Sequence, residues 1–177
     1  MGWVIEMTNE HYDRLRQHLR GDVEQVAFLF TEPYAGDQRL RVRHLHLISG
    51  DEFSHQSGYH VELADEVRPT LIKRAWDEDA CLIEAHSHLQ GPARFSWSDM
   101  AGFEDWVRHI KWRLQGRPYA ALVIAADGFD ALVWDDEEPA SIDALEVVPG
   151  RHLEPTGYTL QPSKEKKRPW WRRILGG

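Results

Sequence analysis

The chain has 177 residues, 42% of them hydrophobic, with a formal net charge of -8; that suffices for one domain with a real core and falls short of two comfortable ones. The only cysteine is Cys81, which excludes a disulfide framework and a cysteine-rich zinc site and makes a reducing cytoplasm the simplest expected location. No apolar run approaches the roughly 20 residues that span a bilayer, and the opening MGWVIEMTNEHYDRL lacks the basic-then-apolar pattern of a secretory signal, so no stable membrane insertion is expected.

In chain order, Asn9 to Arg20 reads as a first helix. Thr8 or Asn9 caps it, Tyr12, Leu15 and Leu19 form its apolar stripe, and Gly21 ends it. VEQVAFLF, Val23 to Phe30, is an apolar run of strand length, followed by the turn EPYAGD. LRVRHLHLI, Leu40 to Ile48, is a second strand; SGDEFSHQSG is loop-like, and YHVEL is a short strand. Asp65 to Asp77 reads as a second helix, with Pro69 tolerable only near its first turn. ACLIEAHSH, from Ala80, has the composition of a central strand ending in polar residues. Ser96 or Ser98 then caps a third helix, Asp99 to Leu114. YAALVIAAD and FDALVW form a hairpin around Asp127-Gly128. A further strand is expected near Ala144 to Val148 and another near Tyr158.

Strands interspersed with helices predict an α/β (α+β) sandwich around a mixed β-sheet flanked by helices. The expected organisation is one domain over residues 1–160 and a basic extension over 161–177. That extension holds six Lys/Arg against one Glu, so the rest of the chain is more acidic than the net charge suggests. An acidic body lacks the basic face of a nucleic-acid-binding domain and suits a basic protein partner. In the extension, Trp170 and Trp171 beside Arg172 and Arg173 make a candidate partner-binding or membrane-touching patch, and the sequence ends in Ile-Leu-Gly-Gly.

The chemistry concentrates in EAHSHLQGPARFSWSD, Glu84 to Asp99. His86 and His88 stand two apart at the end of a strand, so their imidazoles project from one face. Asp99 opens the next helix after a loop long enough to turn back. Two imidazoles and a carboxylate leave one tetrahedral position open for water, the catalytic type of zinc site. A second pair, His44 and His46, has no suitably spaced carboxylate and reads as a strand face. A metallo-β-lactamase would need Asp and His where Leu89 and Gln90 stand. The barrel amidohydrolases need about 250 residues.

One family accommodates the pattern. His86-Ser87-His88, seven residues, Ser96, two residues and Asp99 resembles the His-x-His-x7-Ser-x2-Asp signature of the JAMM metalloproteases, also called the JAB or MPN-domain family. The family also carries an upstream glutamate on an early strand, a place occupied here by Glu24. The chain departs from many relatives in having Leu89 in place of Pro and Ala27 in place of Gly, which suggests a bacterial branch. The resemblance covers about residues 1–150 and implies a JAB/MPN-type, cytidine deaminase-like fold.

It further implies that His86, His88 and Asp99 hold one Zn²⁺, that Glu24 moves the proton from water to the leaving amine, and that Ser96 donates to the oxyanion. Glu6 and Glu32 are rival bases, less well placed. Glu84 reads either as a partner of an imidazole N–H or as a salt-bridged carboxylate, and Phe95 and Trp97 as packing residues. The implied substrate is an amide bond at the C-terminus of a ubiquitin-like protein, for deconjugation or precursor processing. The implied setting is a bacterial conjugation system with activating- and conjugating-enzyme-like partners, in some cases serving antiphage defence. Processing of a sulfur-carrier protein in cofactor biosynthesis is the alternative within the family. A metal-free scaffold is the alternative outside catalysis.

Overall fold

The structure, a computed structural model, describes residues 2–161. The basic extension beyond Gln161, with its tryptophans, lies outside the described residues.

The first six residues after Gly2 alternate in burial. Trp3, Ile5 and Met7 point inward and Val4, Glu6 and Thr8 do not, which makes β1, Trp3–Thr8, a half-buried strand. Helix α1, Asn9–His18, follows directly, and the Thr8 hydroxyl accepts from the His11 N–H at 3.1 Å to cap it. Then come β2, Val26–Pro33, and β3, Arg39–Leu47. A 3-10 turn at Gly50–Glu52 leads into a two-stranded flap, β4, Phe53–Gln56, and β5, Val61–Leu63. Helix α2, Val67–Asp77, leads to β6, Ala80–Ser87, and the loop after β6 to helix α3, Trp97–Arg113. The chain continues through β7, Tyr119–Ala125, β8, Gly128–Trp134, β9, Ala140–Val148, and β10, Arg151–Leu153. Gly128 carries the positive φ of the β7–β8 turn.

The expected open sandwich, a JAB/MPN-type mixed sheet flanked by helices, is overturned by the strand pairing. The sheet runs β1-β3-β2-β6-β7-β8-β9, and β9 pairs back onto β1, which closes seven strands into a barrel; β10 hangs from β9. Helices among the described residues number only three, apart from the 3-10 turn. Closure depends on β1, which runs parallel to both neighbours, with Ile5 opposite Leu40 on β3 and opposite Leu145 on β9. Arg39 staples that seam: its guanidinium donates to Glu6 at 2.9 Å and to Glu146 at 2.7 Å. A closed sheet has no exposed edge, and each barrel strand divides its residues between inside and outside.

Two cores follow from that division. Inside the barrel lie Ile5, Met7, Ala27, Leu29, Ile83, Ala85, Leu122 and Val133, and Leu15 of α1 and Leu19, which caps its C-terminus, pack against them. Outside, α2 and α3 cover Phe28, Phe30, Leu82, Tyr119, Ala121, Val123 and Trp134 with Leu71, Ile72, Phe103, Val107 and Ile110. Strands β6 and β7 are buried on both faces, which is why they read as continuous apolar runs. Other differences are local. The first barrel strand after α1 starts at Val26 and not at Val23, β9 begins at Ala140, and Tyr158 lies in a turn, not a strand.

Candidate metal centre

His86 is the second-last residue of β6 and shares the parity of Leu82 and Glu84, so it leaves the barrel wall on the side covered by α3. The strand is prolonged by one further backbone bond, from the His88 N–H to the Ile124 carbonyl at 2.9 Å. That bond keeps His88 on the same side as His86. The two imidazole Nε2 atoms are 3.1 Å apart.

Asp99 reaches them from the first turn of α3. Ser96 is the N-cap: the Asp99 N–H donates to its Oγ at 3.1 Å, and Asp99 Oδ2 accepts from the Ser96 N–H at 2.7 Å. This capping box fixes the carboxylate. Asp99 Oδ2 then lies 3.3 Å from His88 Nε2, and Oδ1 lies 3.7 Å from His86 Nε2. His86, His88 and Asp99 are the group among the described residues whose donor atoms, all within 4.8 Å of one another, suit a metal ion. His44 and His46 form no such group, and His46 instead pairs with Glu52 at 2.6 Å.

The electrostatics match this assembly. Burial works against ionised Asp99, but hydrogen bonds from His86, His88 and Ser96 outweigh it and hold the carboxyl far below its usual range. His88 is raised by its hydrogen bond to Asp99, against the opposing effect of burial.

The loop between His88 and Ser96 is held by residues distant in sequence, from the β7–β8 turn and from the segment after β10. The Ala93 N–H donates to Asp127 at 2.8 Å, and the Thr156 hydroxyl donates to the Ala93 carbonyl at 2.6 Å. The Phe95 N–H donates to the Thr159 hydroxyl at 3.1 Å, and Thr159 is anchored on buried Asp130. Sequence reasoning missed this clamp, because bonds across such separations leave no local pattern. Phe95 packs as expected, its ring 5.6 Å from His86 and 5.4 Å from Phe103. Trp97, expected to pack, is 86% exposed.

Glu24 stands outside any strand, two residues before β2, and not on an early strand as expected. It nevertheless lines the same cleft as His86, His88, Ser96 and Asp99, a space of about 740 Å³ walled by the flap, α2 and α3. Burial raises its pKa, and the pull of nearby His88 and His86 only partly offsets this. Neither rival base lines the cleft. Glu6 is paired with Arg39 on the barrel seam.

Glu84 is resolved as an ion-pair member. Its two oxygens accept from both terminal nitrogens of Arg68 at 2.8 and 3.1 Å, and one also accepts from the Tyr119 hydroxyl at 2.9 Å. Trp106 donates to Tyr119 at 2.9 Å and lies under the Arg68 guanidinium at 4.2 Å.

Ser96 has a structural duty besides any chemical one. Its hydroxyl donates to Asp99 Oδ2 at 2.7 Å and accepts from the Asp99 N–H. Replacing Ser96 with Ala removes the cap of a 17-residue helix. Thermal unfolding of Ser96→Ala is expected to show a loss of about 1 kcal/mol. A variant as stable as the wild type would deny the cap its role.

No protein-family model matches the chain, and no curated protein matches it. Among solved structures, it is similar to the solution structure of protein DSY2949 from Desulfitobacterium hafniense, a structural-genomics target. The TM-score is 0.54 at 16% identity, covering 81% of this chain and 91% of that one. Similarity at that identity concerns the fold alone. Among the described residues, no helix is long and apolar enough to cross a membrane.

Proposed function

We propose that this protein is a zinc-dependent peptidase that cleaves amide bonds at the C-terminus of a ubiquitin-like protein, acting in the cytoplasm. The observation that carries the metal assignment is the spacing of the donor atoms. A tetrahedral zinc site with bonds of about 2.0–2.1 Å has ligand-to-ligand edges of roughly 3.3 Å. Two edges here are close to this, His86 Nε2 to His88 Nε2 at 3.1 Å and His88 Nε2 to Asp99 Oδ2 at 3.3 Å, while His86 Nε2 meets the other carboxylate oxygen, Oδ1, at 3.7 Å; with one donor atom from each residue, all three lie within 4.8 Å of one another. The spacing of His86, His88, Ser96 and Asp99 in sequence, shared with the JAMM metalloproteases, supports the reaction type.

When bound, zinc supplies Lewis-acid polarisation of the scissile carbonyl and makes a water acidic near neutral pH. The chain's own residues do the rest. Glu24, its pKa raised by burial, is suited to take a proton and return it to the leaving amine. Ser96, whose hydroxyl lines the same cleft and now donates to Asp99 Oδ2, would supply the hydrogen bond to the oxyanion. The cleft between flap and α3, about 740 Å³ and lined in part by Phe103 and Trp106, has room for an extended peptide tail. A buried thiol, raised to about 11 by desolvation, leaves Cys81 with no part in the chemistry.

Two tests apply. Ubiquitin-like proteins ending in Gly-Gly, each amide-linked to a fluorescent amine, should release the amine only with zinc-loaded protein. Zinc binding should also weaken as the pH falls. The raised pKa of His88 means that protons compete for its ring at a pH already above 6.5, the ordinary imidazole value. Zinc titrations across neutral pH should therefore show affinity falling before that value is reached, and a pH-independent affinity would remove His88 from the ligand set.

A further inference from the structure

Glu24 belongs to no helix or strand, yet its backbone is tied on both sides. On one side lies the strand of the histidines: the Gln25 N–H donates to the Ser87 hydroxyl at 2.9 Å, and the Ser87 N–H donates to the Gln25 carbonyl at 3.1 Å. On the other side lies the flap. The Glu24 N–H donates to the Ser57 carbonyl at 2.9 Å, and the Gln56 side-chain amide donates to the Glu24 carbonyl at 2.9 Å. The carboxylate therefore sits at a junction between a rigid element and a softer one.

The flap is the softer one. It is a two-stranded hairpin, β4 on β5, paired at Phe53 with Leu63, His55 with Glu62 and Gln56 with Val61, and it is no part of the barrel sheet. Such a hairpin has little stability of its own. Its inner face, through Ser54, His60, Val61 and Leu63, forms a wall of the cleft. A chain seated in the cleft touches the flap, and the flap holds Glu24. Gln56 itself does not line the cleft, so it meets the substrate only through Glu24.

We infer that Gln56 is a positioning residue: its amide, hydrogen-bonded to the Glu24 carbonyl, transmits the seating of substrate against the flap to the placement of the Glu24 carboxylate. This inference rests on the proposed peptidase reading. It assigns the flap a second task besides holding substrate, namely setting the base at its working distance. Misplacement of a catalytic group by about 1 Å can cost on the order of 100-fold in rate. The bond at stake here is one of two that link Glu24 to the flap, so a loss of about 10-fold is the scale expected.

The experiment compares zinc-loaded wild type with Gln56→Met, which keeps the side-chain shape and removes its donors. The probe is the amide-linked fluorescent fusion of a ubiquitin-like protein that wild type turns over. Expected are a kcat lower by about 10-fold, a KM within about 2-fold, and wild-type zinc content. The acid limb of the pH–rate profile, which reports the base, should also move. Gln56→Glu, also without a neutral amide donor, should lower kcat in the same direction. An unchanged kcat and acid limb, or a fall in kcat accompanied by loss of zinc, overturns the inference. Wild type without turnover on any fusion overturns the proposed function and this inference together. An active wild type beside an unimpaired Gln56→Met overturns this inference alone.

Discussion

Replacing Glu24 with Ala should leave the zinc in place and lower hydrolysis by about 100- to 10,000-fold, the usual contribution of a positioned acid–base group. The two halves of this outcome separate because Glu24 is not among the donors that face one another. His86, His88 and Asp99 lie within 4.8 Å of one another and come from β6, the residue just past it, and the first turn of α3. Glu24 comes from the link before β2 and reaches the cleft independently. Elemental analysis and turnover of the same preparation provide the check. Zinc lost along with activity would place Glu24 among the ligands, and activity retained would leave the base elsewhere.

The second large effect concerns stability. Arg68 of α2 and Glu84 of β6 form a two-bond ion pair, with Tyr119 donating to the same carboxylate. Glu84 is 8% exposed. Removing Glu84 leaves Arg68 charged and without its partner, but its side chain is 34% exposed on the cleft, so the cost is about 2 kcal/mol and not the roughly 3–5 kcal/mol of a fully buried stranded charge. Glu84→Ala should therefore lower the unfolding free energy by about 2 kcal/mol in denaturant titrations. The double variant Glu84→Leu with Arg68→Met should recover a large part of it, because neither charge then remains buried. A double variant no better than Glu84→Ala would mean that packing, and not the stranded charge, sets the cost.

The pH dependence of that pair has a definite sign. Burial opposes ionisation of Glu84, but the Arg68 charge and the hydrogen bonds from Arg68 and Tyr119 overcome it, so its folded pKa lies below the ordinary 4.5. A depressed carboxyl pKa contributes stability that is fully present above the unfolded value and is lost as the pH falls through the folded one. The gap in stability between wild type and Glu84→Ala should therefore be constant near neutrality and shrink only below about pH 4.5.

The candidate site was more legible in the sequence than the fold around it. His86, His88 and Asp99 announce themselves by spacing, because a strand places alternate residues on one face and a capped helix fixes its first turn. Ser96 was expected as both cap and donor, and the capping box with Asp99 bears out the first of these. Glu24 was expected in the strand after α1, but Val26 begins that strand. Its link to the flap could not be read from the chain, since the bond from Gln56 to the Glu24 carbonyl spans 32 residues.

The architecture was misread for one identifiable reason. Trp3, Ile5 and Met7 alternate inward as a strand should, yet no turn signal connects β1 to either of its partners. Both partners lie parallel to it, at Arg39 and beyond and at Ile142 and beyond. Parallel pairing needs long crossovers and leaves no hairpin signature. Omitting one six-residue strand left β3 and β9 as apparent edges of an open sheet, where the chain forms a closed barrel. The flap strand β4 was missed for a different reason: its four residues FSHQ pair antiparallel with β5 but carry too little apolar alternation to read as more than loop.

Every catalytic role proposed for these residues depends on the metal. Elemental analysis of protein purified without added chelator, wild type beside His88→Ala, tests it most directly. The expected result is one zinc per chain in wild type and almost none in the variant, with unfolding curves showing both proteins folded. A folded wild type that takes up no zinc, or a His88→Ala variant that binds it as fully, would contradict the assignment of His86, His88 and Asp99 as a zinc site.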